Sequence, residues 1–119
     1  MVPRLPAASG PLQTFKAEFF KALGHPVRIR ILELLVGGEH SVKELQEALE
    51  LEQPIVSEHL ALLRGKNIVK ARKEGTTVRY TVRDASIRQL LAIARRIFDS
   101  QLIDSQTMLR ELRRERHPR

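Results

Sequence analysis

The segment 53–64 carries the side chains best suited to hydrogen bonding with nucleic-acid bases. On a helix, at about 100° per residue, its apolar residues form one stripe and the opposite face holds Gln53, Pro54, Ser57, Glu58 and Ala61. Gln53 and Ser57 can bond a base edge or a phosphate, whereas Glu58 can accept from cytosine N4 but also repels phosphate. We therefore expect DNA contact at Gln53 and Ser57 rather than plain solvent exposure, and Glu58 stays open between the two.

Three further residues complete the chemistry expected of this region. His59 lies toward the apolar side of the same helix, which favours a packing or phosphate-positioning role over base reading. Arg28 lies near the apolar arc of an earlier helix, where its stem can pack and its head can pair with a carboxylate. Arg64, at the end of the 53–64 helix, joins Pro54 and His59 in the expected DNA-contacting set.

A second basic group lies in the segment 68–82, where apolar and polar residues alternate as in a β-hairpin with Glu74-Gly75 in its turn. One strand face is expected to hold Lys70, Arg72 and Arg79, and the tip to hold Lys73, Thr76 and Thr77. Such a hairpin suits phosphates or an adjacent minor groove. A solvated strand face is the alternative.

Metal and catalytic chemistry find little support. The chain has no Cys, which excludes disulfides, thiolate metal sites and cysteine nucleophiles. His25, His40 and His117 lack the spacing of a metal motif. Gly65-Lys66-Asn67 lacks the flanking residues of a phosphate loop, and no nucleophile has a base at motif spacing. We expect no enzyme and no cofactor.

Helical periodicity predicts the elements that position these side chains. Helices are expected from Leu12 to Gly24 and over 27–36, 42–49 and 53–64; a Ser41/Glu44 capping box starts the third, and Pro54 fits the first turn of the fourth. Two short helices joined by about three residues form a helix-turn-helix pattern. The basic hairpin that follows predicts a mostly α, winged helix-turn-helix fold in the order α-α-α-α-β-β-α.

The chain from Ala85 onward predicts a long helix with a coiled-coil-like seam. Its apolar surface exceeds what a small core can cover, which favours a homodimer over one helix folding back on its own domain. The expected interface residues come from the first and last helices: Leu12, Phe15, Phe19, Leu23, Ile87, Leu90, Leu91, Ala94, Ile97, Phe98 and Leu102. The domain is expected over 12–112, between a flexible arm at 1–11 and a basic tail at 113–119.

Composition agrees with a nucleic-acid partner. The 119 residues carry a net charge of +7, which attracts polyanions, although a solvated basic face is the plainer interpretation. The start of the chain lacks the apolar stretch of a signal peptide, which predicts a cytoplasmic protein.

Three stretches of sequence resemble the ArsR/SmtB winged-helix repressors: Leu23-Gly24-His25-Pro26-Val27-Arg28-Ile29-Arg30-Ile31-Leu32, Ser57-Glu58-His59-Leu60-Ala61-Leu62-Leu63-Arg64, and Val78-Arg79-Tyr80-Thr81-Val82. The resemblance runs from about Phe15 to Phe98. It implies a symmetric dimer, built from the first and last helices, that binds a double-stranded DNA operator and releases it on a signal.

The chain departs from that family at its metal sites. Ser41 and Lys43 stand where the third helix often carries a cysteine pair, and Asp84, Ser86, Ile97 and Ser100 stand where the last helix often carries carboxylates and histidines. Only Asp84 keeps a suitable ligand, so we expect no metal control through these sites. All four Phe residues fall in the two dimerisation helices. Packing is the first explanation, and an organic effector pocket between those helices, at the dimer interface, is the second.

One alternative function stays open at this point. A winged-helix module could serve protein–protein contact or nonspecific nucleic-acid coating instead of operator binding. A two-fold symmetric footprint with half-sites about one helical turn apart would favour operator binding.

Overall fold

The computed structural model describes residues 10–116. They form α1 (Pro11–Leu23), α2 (Pro26–Leu35), β1 (His40–Ser41), α3 (Val42–Leu49), α4 (Gln53–Gly65), β2 (Val69–Glu74), β3 (Thr77–Val82) and α5 (Ser86–Arg116). Two compact units divide at Ala85, with α1 to β3 in the first and α5 in the second. The predicted order of helices and hairpin is confirmed, with β1 as an addition.

The core of the first unit is assembled from one face of each of its central helices and from the start of the hairpin. α4 packs against α2, α3 and β2. The most deeply buried side chains come from those elements and from Ile68, which directly precedes β2: Ile31, Leu32, Leu35, Leu45, Val56, Leu60, Leu63, Ile68 and Val69. Within α2 and α4 the buried residues recur at helical spacing, so their burial fixes the rotation of these two helices about their own axes.

Local capping sets where the helices begin. His25 precedes α2, and its Nδ1 accepts a hydrogen bond of 3.1 Å from the Val27 N–H. Ser41 and Glu44 form the predicted capping box at α3, with side-chain to backbone distances of 3.2 and 3.1 Å. Each bond satisfies a backbone or side-chain group that the helix start would leave unpaired.

The turn between α3 and α4 depends on a residue in the left-handed region. Glu50 has φ of 56° and ends α3, and the Leu51 N–H bonds to the Gln46 carbonyl at 3.2 Å. A left-handed C-terminal residue reverses the chain within very few positions. The link between α3 and α4 is therefore short, and α4 begins at Gln53.

The sheet has three antiparallel strands in the order β1-β3-β2. The predicted hairpin pairs Val69 with Val82 through to Glu74 with Thr77, and Gly75, with φ of 62°, lies in its turn. β1 pairs His40 with Tyr80 and Ser41 with Arg79. Periodicity does not predict β1, because two residues are too few for an alternating pattern.

The second unit is the 31-residue helix α5, about 46 Å long at 1.5 Å per residue. It continues to Arg116, four residues beyond the limit expected from the sequence, and Arg113, Arg114 and Arg116 lie in its last turn. Cations there interact favourably with the negative end of the helix dipole, which explains the extension. Residues 117–119 of the predicted tail lie outside the described range.

At the other end of the chain, α1 begins at Pro11, the last residue of the predicted arm. Proline suits the first helical turn because its missing N–H would have no helical partner there. Residues 1–9 of the arm lie outside the described range. Within residues 10–116, no helix combines the length and apolar character needed to cross a bilayer.

Candidate nucleic-acid interface

α4 presents two chemically different faces. Val56, Leu60 and Leu63 are at most 1% exposed, whereas Gln53, Pro54, Glu58 and Ala61 on the other face are exposed and Ser57 is half-buried. The rotation predicted from periodicity is thus the one that the structure adopts. Gln53 Nε2 also donates to Ser57 Oγ at 3.2 Å, so the two polar residues expected at DNA are adjacent on one surface.

His59 lies at the boundary between these faces and is half-buried. Its ring centroid is 4.4 Å from that of His25, and its Nδ1 is 3.3 Å from Nη1 of Arg28. Since a guanidinium can only donate, this contact requires an unprotonated His59 Nδ1. Through these contacts with His25 and Arg28, His59 links α4 to the start of α2.

Arg28 does not follow the expected pairing with a carboxylate. Its Nε donates to the Ala22 carbonyl at 2.6 Å and its Nη2 to the Lys21 carbonyl at 3.4 Å. The last carbonyls of a helix lack i+4 helical donors, so the Ala22 carbonyl can accept from the guanidinium, and the Lys21 carbonyl accepts from both the Gly24 N–H and Arg28. Arg28 therefore ties the end of α1 to His59 on α4.

This cluster lowers the pKa of His59. Burial is the main cause, and the nearby His25 and Arg28 add electrostatic repulsion, while Glu58 acts in the opposite direction. His25 also needs an unprotonated Nδ1 to accept from the Val27 N–H. A proton at either of these two nitrogen atoms would break a hydrogen bond.

The hairpin places its basic residues as the alternation predicts. Arg72 and Arg79 are direct cross-strand partners, and Lys70 lies opposite Thr81, so Lys70, Arg72 and Arg79 share one face. The tip residues Lys73, Thr76 and Thr77 are exposed, as is Arg64 at the end of α4.

Carboxylates surround the two hairpin arginines. Arg72 contacts Glu39 at 2.7 Å and Glu74 at 3.3 Å. Arg79 contacts Glu74 at 2.8 Å and Glu44 at 3.0 Å. These partners are not evident from the sequence, where Glu44 belongs to a capping box and Glu74 to a turn, because only the sheet register brings them to the arginines.

The contacts of this group also lower the pKa values of two of its carboxylates. The hydrogen bond from Arg72 lowers the pKa of Glu39. The backbone N–H and hydroxyl of Ser41 lower the pKa of Glu44, and Arg79 lowers it further. Both carboxylates therefore stay ionised beside the arginines at neutral pH.

The predicted interface residues divide by exposure. Leu23 and Ile87 are buried and Phe19, Leu90, Leu91 and Ala94 half-buried, whereas the remaining ones are exposed: Leu12, Phe15, Ile97, Phe98 and Leu102. Phe15 is 73% exposed.

An apolar cavity of about 630 Å³ lies beside α1 in the first unit. Phe15 and Phe19 line it on α1 and residues 65–67 on the opposite side, and an ion pair of 3.5 Å joins Lys66 to Glu18 among its lining residues. Its volume falls in the range of small-molecule sites.

Metal-ligating side chains do not converge within residues 10–116, where no three His, Asp or Glu residues form a group able to hold an ion. Ser41, at the first family metal position, serves as the cap of α3. His117, one of the histidines weighed as a ligand from the sequence, lies outside the described range.

A helix-turn-helix with a buried scaffold, an outward polar face on its second helix and a basic β-hairpin directly after it defines a winged helix-turn-helix DNA-binding protein. The family model described as "Bacterial regulatory protein, arsR family" matches residues 25–71. The chain belongs to the ArsR family and is a transcriptional regulator.

Curated relatives support this assignment. An uncharacterised HTH-type transcriptional regulator of Mycobacterium tuberculosis, Rv0081, is 44% identical over 106 residues, which cover 88% of this chain and 93% of that protein. The biofilm growth-associated repressor of Xylella fastidiosa is 36% identical over 71% of this chain and 75% of its own length. Repressors therefore occur among the relatives.

Solved structures agree. The crystal structure of Rv0081 matches with a TM-score of 0.77 and 45% identity, over 82% of this chain and 98% of that one. The homodimeric winged helix-turn-helix DNA-binding domain of Mb0332 from Mycobacterium bovis matches with a TM-score of 0.72 and 28% identity, over 85% and 94%.

The lowered pKa of His59 predicts an acid-sensitive fold. The unfolded chain takes up a proton near the ordinary His pKa of 6.5, whereas folded His59 takes it up at lower pH. Stability is therefore complete above pH 6.5 and is lost as pH falls through 6.5 toward the folded pKa. Urea unfolding between pH 8 and pH 5 should show this loss, and His59→Gln should reduce it.

His40→Gln is the matched control, because the ring of His40 bonds locally, to the nearby Gly38 carbonyl. Its pH profile should follow that of the unmodified protein. A His59→Gln profile identical to the unmodified one would show that His59 does not carry the acid sensitivity.

Proposed function

We propose that the protein is a homodimeric repressor that binds a two-fold symmetric operator in double-stranded DNA and is not controlled by metal at the usual family sites. The observation that carries the proposal is the two-faced packing of α4. With one face fixed in the core, the face bearing Gln53, Ser57 and Glu58 meets the outside in a set orientation.

In this proposal α4 enters the major groove. Its N-terminal residues, Gln53 and Ser57, bond base edges or phosphates, and Glu58 accepts from cytosine. The Gln53–Ser57 bond supports the assignment, because it holds both polar groups together before DNA arrives. His59 positions α4 through Arg28 and does not read bases.

The hairpin then serves as the wing. Exposed Lys70 and Lys73 supply charge for phosphates of the flanking backbone, and Thr76 and Thr77 at the tip add hydrogen-bonding groups. Sequence preference thus resides in α4 and general affinity in the wing.

A second copy covers the apolar faces of α1 and α5. Phe98 and Leu102 are 58% and 61% exposed in the single chain, and the Mb0332 relative is described as homodimeric. A two-fold dimer would present two α4 helices to half-sites about 34–36 Å apart, one turn of DNA.

Control of DNA release has three candidates once metal is set aside: an organic molecule, a protein partner, or the abundance of the repressor. The organic molecule is favoured by the cavity beside Phe15 and Phe19, whose surface is largely apolar. This cavity is lined by α1 and residues 65–67, whereas the sequence predicted a pocket between the first and last helices at the dimer interface.

DNA selected from random sequence should yield one symmetric motif with a two-fold footprint. Gln53→Ala with Ser57→Ala should change which bases are preferred. Lys70→Ala with Lys73→Ala should weaken all sequences about equally and reduce the slope of log affinity against log salt by about 0.9 for each phosphate that is no longer neutralised. Selection without any enriched motif would favour nonspecific coating instead.

Negative charge introduced at the exposed α5 residues Phe98 and Leu102 should dissociate the dimer. Phe98→Glu with Leu102→Glu would bury unpaired carboxylates between the copies, at a cost of roughly several kcal/mol, and leaves the buried core unchanged. Sedimentation should show folded monomers, while Arg96→Glu on the same helix should stay dimeric. An unchanged dimer in the double variant would place the interface elsewhere.

Zinc should neither bind tightly nor release DNA. A transition-metal site needs about four ligands, mainly imidazole, thiolate or carboxylate, and the family positions offer hydroxyls, a cation, Ile97 and the single carboxylate of Asp84. Titration of the dimer with Zn²⁺ during operator binding measures both effects. Stoichiometric binding below about micromolar, with loss of more than about 1 kcal/mol of DNA affinity, would reveal a metal site.

A further inference from the structure

The wing places two arginines where they should repel each other. Arg72 and Arg79 are directly opposite on neighbouring strands and share one face, and like charges in such a pair destabilise a sheet. Three carboxylates, those of Glu39, Glu44 and Glu74, contact the two arginines and offset their charges. We call these five side chains the wing cluster.

The cluster occupies the Nε–H of both arginines and part of their terminal N–H groups, which are donors that an arginine can use for phosphate. Glu39 receives two parallel bonds from Arg72, from Nε at 3.3 Å and from Nη2 at 2.7 Å. Arg79 donates from Nε to Glu74 at 2.8 Å and from Nη1 to Glu44 at 3.0 Å. Carboxylate and phosphate engage a guanidinium through the same paired N–H groups, so a donor held by one is closed to the other.

Glu74 has the central position. It is the cluster carboxylate that contacts both arginines. Glu44, by contrast, is also fixed by the capping box. With two cations and three anions, the cluster carries a formal charge of −1, although it lies on the face expected to approach DNA.

We propose that Glu74 acts as an internal competitor of DNA phosphate for N–H donors of Arg72 and Arg79, so that the two arginines engage the backbone fully when phosphate displaces carboxylate. The inference rests on the proposed DNA-binding function and concerns its regulation. The side chains of the cluster are 33% to 57% exposed, and exposed ion pairs are individually weak. The exchange is therefore reversible, and Glu74 tunes DNA affinity without blocking it.

Glu74→Gln tests the proposal, because it keeps the size of the side chain and removes its charge. Affinity for both selected and random duplex DNA should rise about three- to tenfold, the scale of releasing two exposed ion pairs. The salt dependence should become steeper by about 0.9 per protomer for each additional phosphate that is neutralised. Combining Glu74→Gln with Arg72→Ala and Arg79→Ala should abolish the increase in affinity.

Glu47→Gln is the matched control: the residue is exposed on α3, and the change removes the same charge outside the wing cluster. Its effect should be smaller and should leave the salt slope unchanged. Urea unfolding of each variant verifies that the fold is retained.

The possible outcomes distinguish this inference from the proposed function. If the unmodified protein binds DNA and Glu74→Gln matches Glu47→Gln or binds more weakly, Glu74 does not compete with phosphate and only this inference fails. If no variant binds duplex DNA, the proposed function fails together with it.

Discussion

The structure depends on the one-sided burial of α4. Val56, Leu60 and Leu63 are almost completely inaccessible, and full burial of each such side chain stabilises by roughly 1.5–3 kcal/mol. Their sum is comparable with the roughly 5–15 kcal/mol net stability of a small domain. A rotation of α4 that exposed these three side chains would therefore unfold the protein. The free energy of their burial thus also holds the polar face of α4 outward.

Local partners, and not the overall charge, decide which cations are available to DNA. The net charge of +7 favours nucleic acid at long range. At the wing, however, Arg72 and Arg79 are already engaged by carboxylates. Arg28 is likewise held by the last carbonyls of α1 and by the unprotonated ring of His59, so protonation of His59 would also disturb the link between α1 and α4. The number of basic residues therefore overstates how many cations are unpaired and available to phosphate before DNA binds.

The sequence by itself determined the helices, the hairpin and the outward face of α4, because these follow from periodicity and from local signals such as Pro54, Gly75 and the Ser41/Glu44 box. The resemblance at 23–32 and 57–64 was sufficient for the family. Site roles, the dimer and the absence of metal control stay predictions that physical measurements decide.

Only the tertiary structure decided the partners of the charged side chains. Arg28 found helix-end carbonyls and His59 rather than a carboxylate, and β1 formed because β3 offered it a neighbouring strand. Glu39 is 33 residues from Arg72, and Glu44 is 35 from Arg79. Contacts over such separations depend on strand register and helix packing, which one-dimensional patterns do not encode.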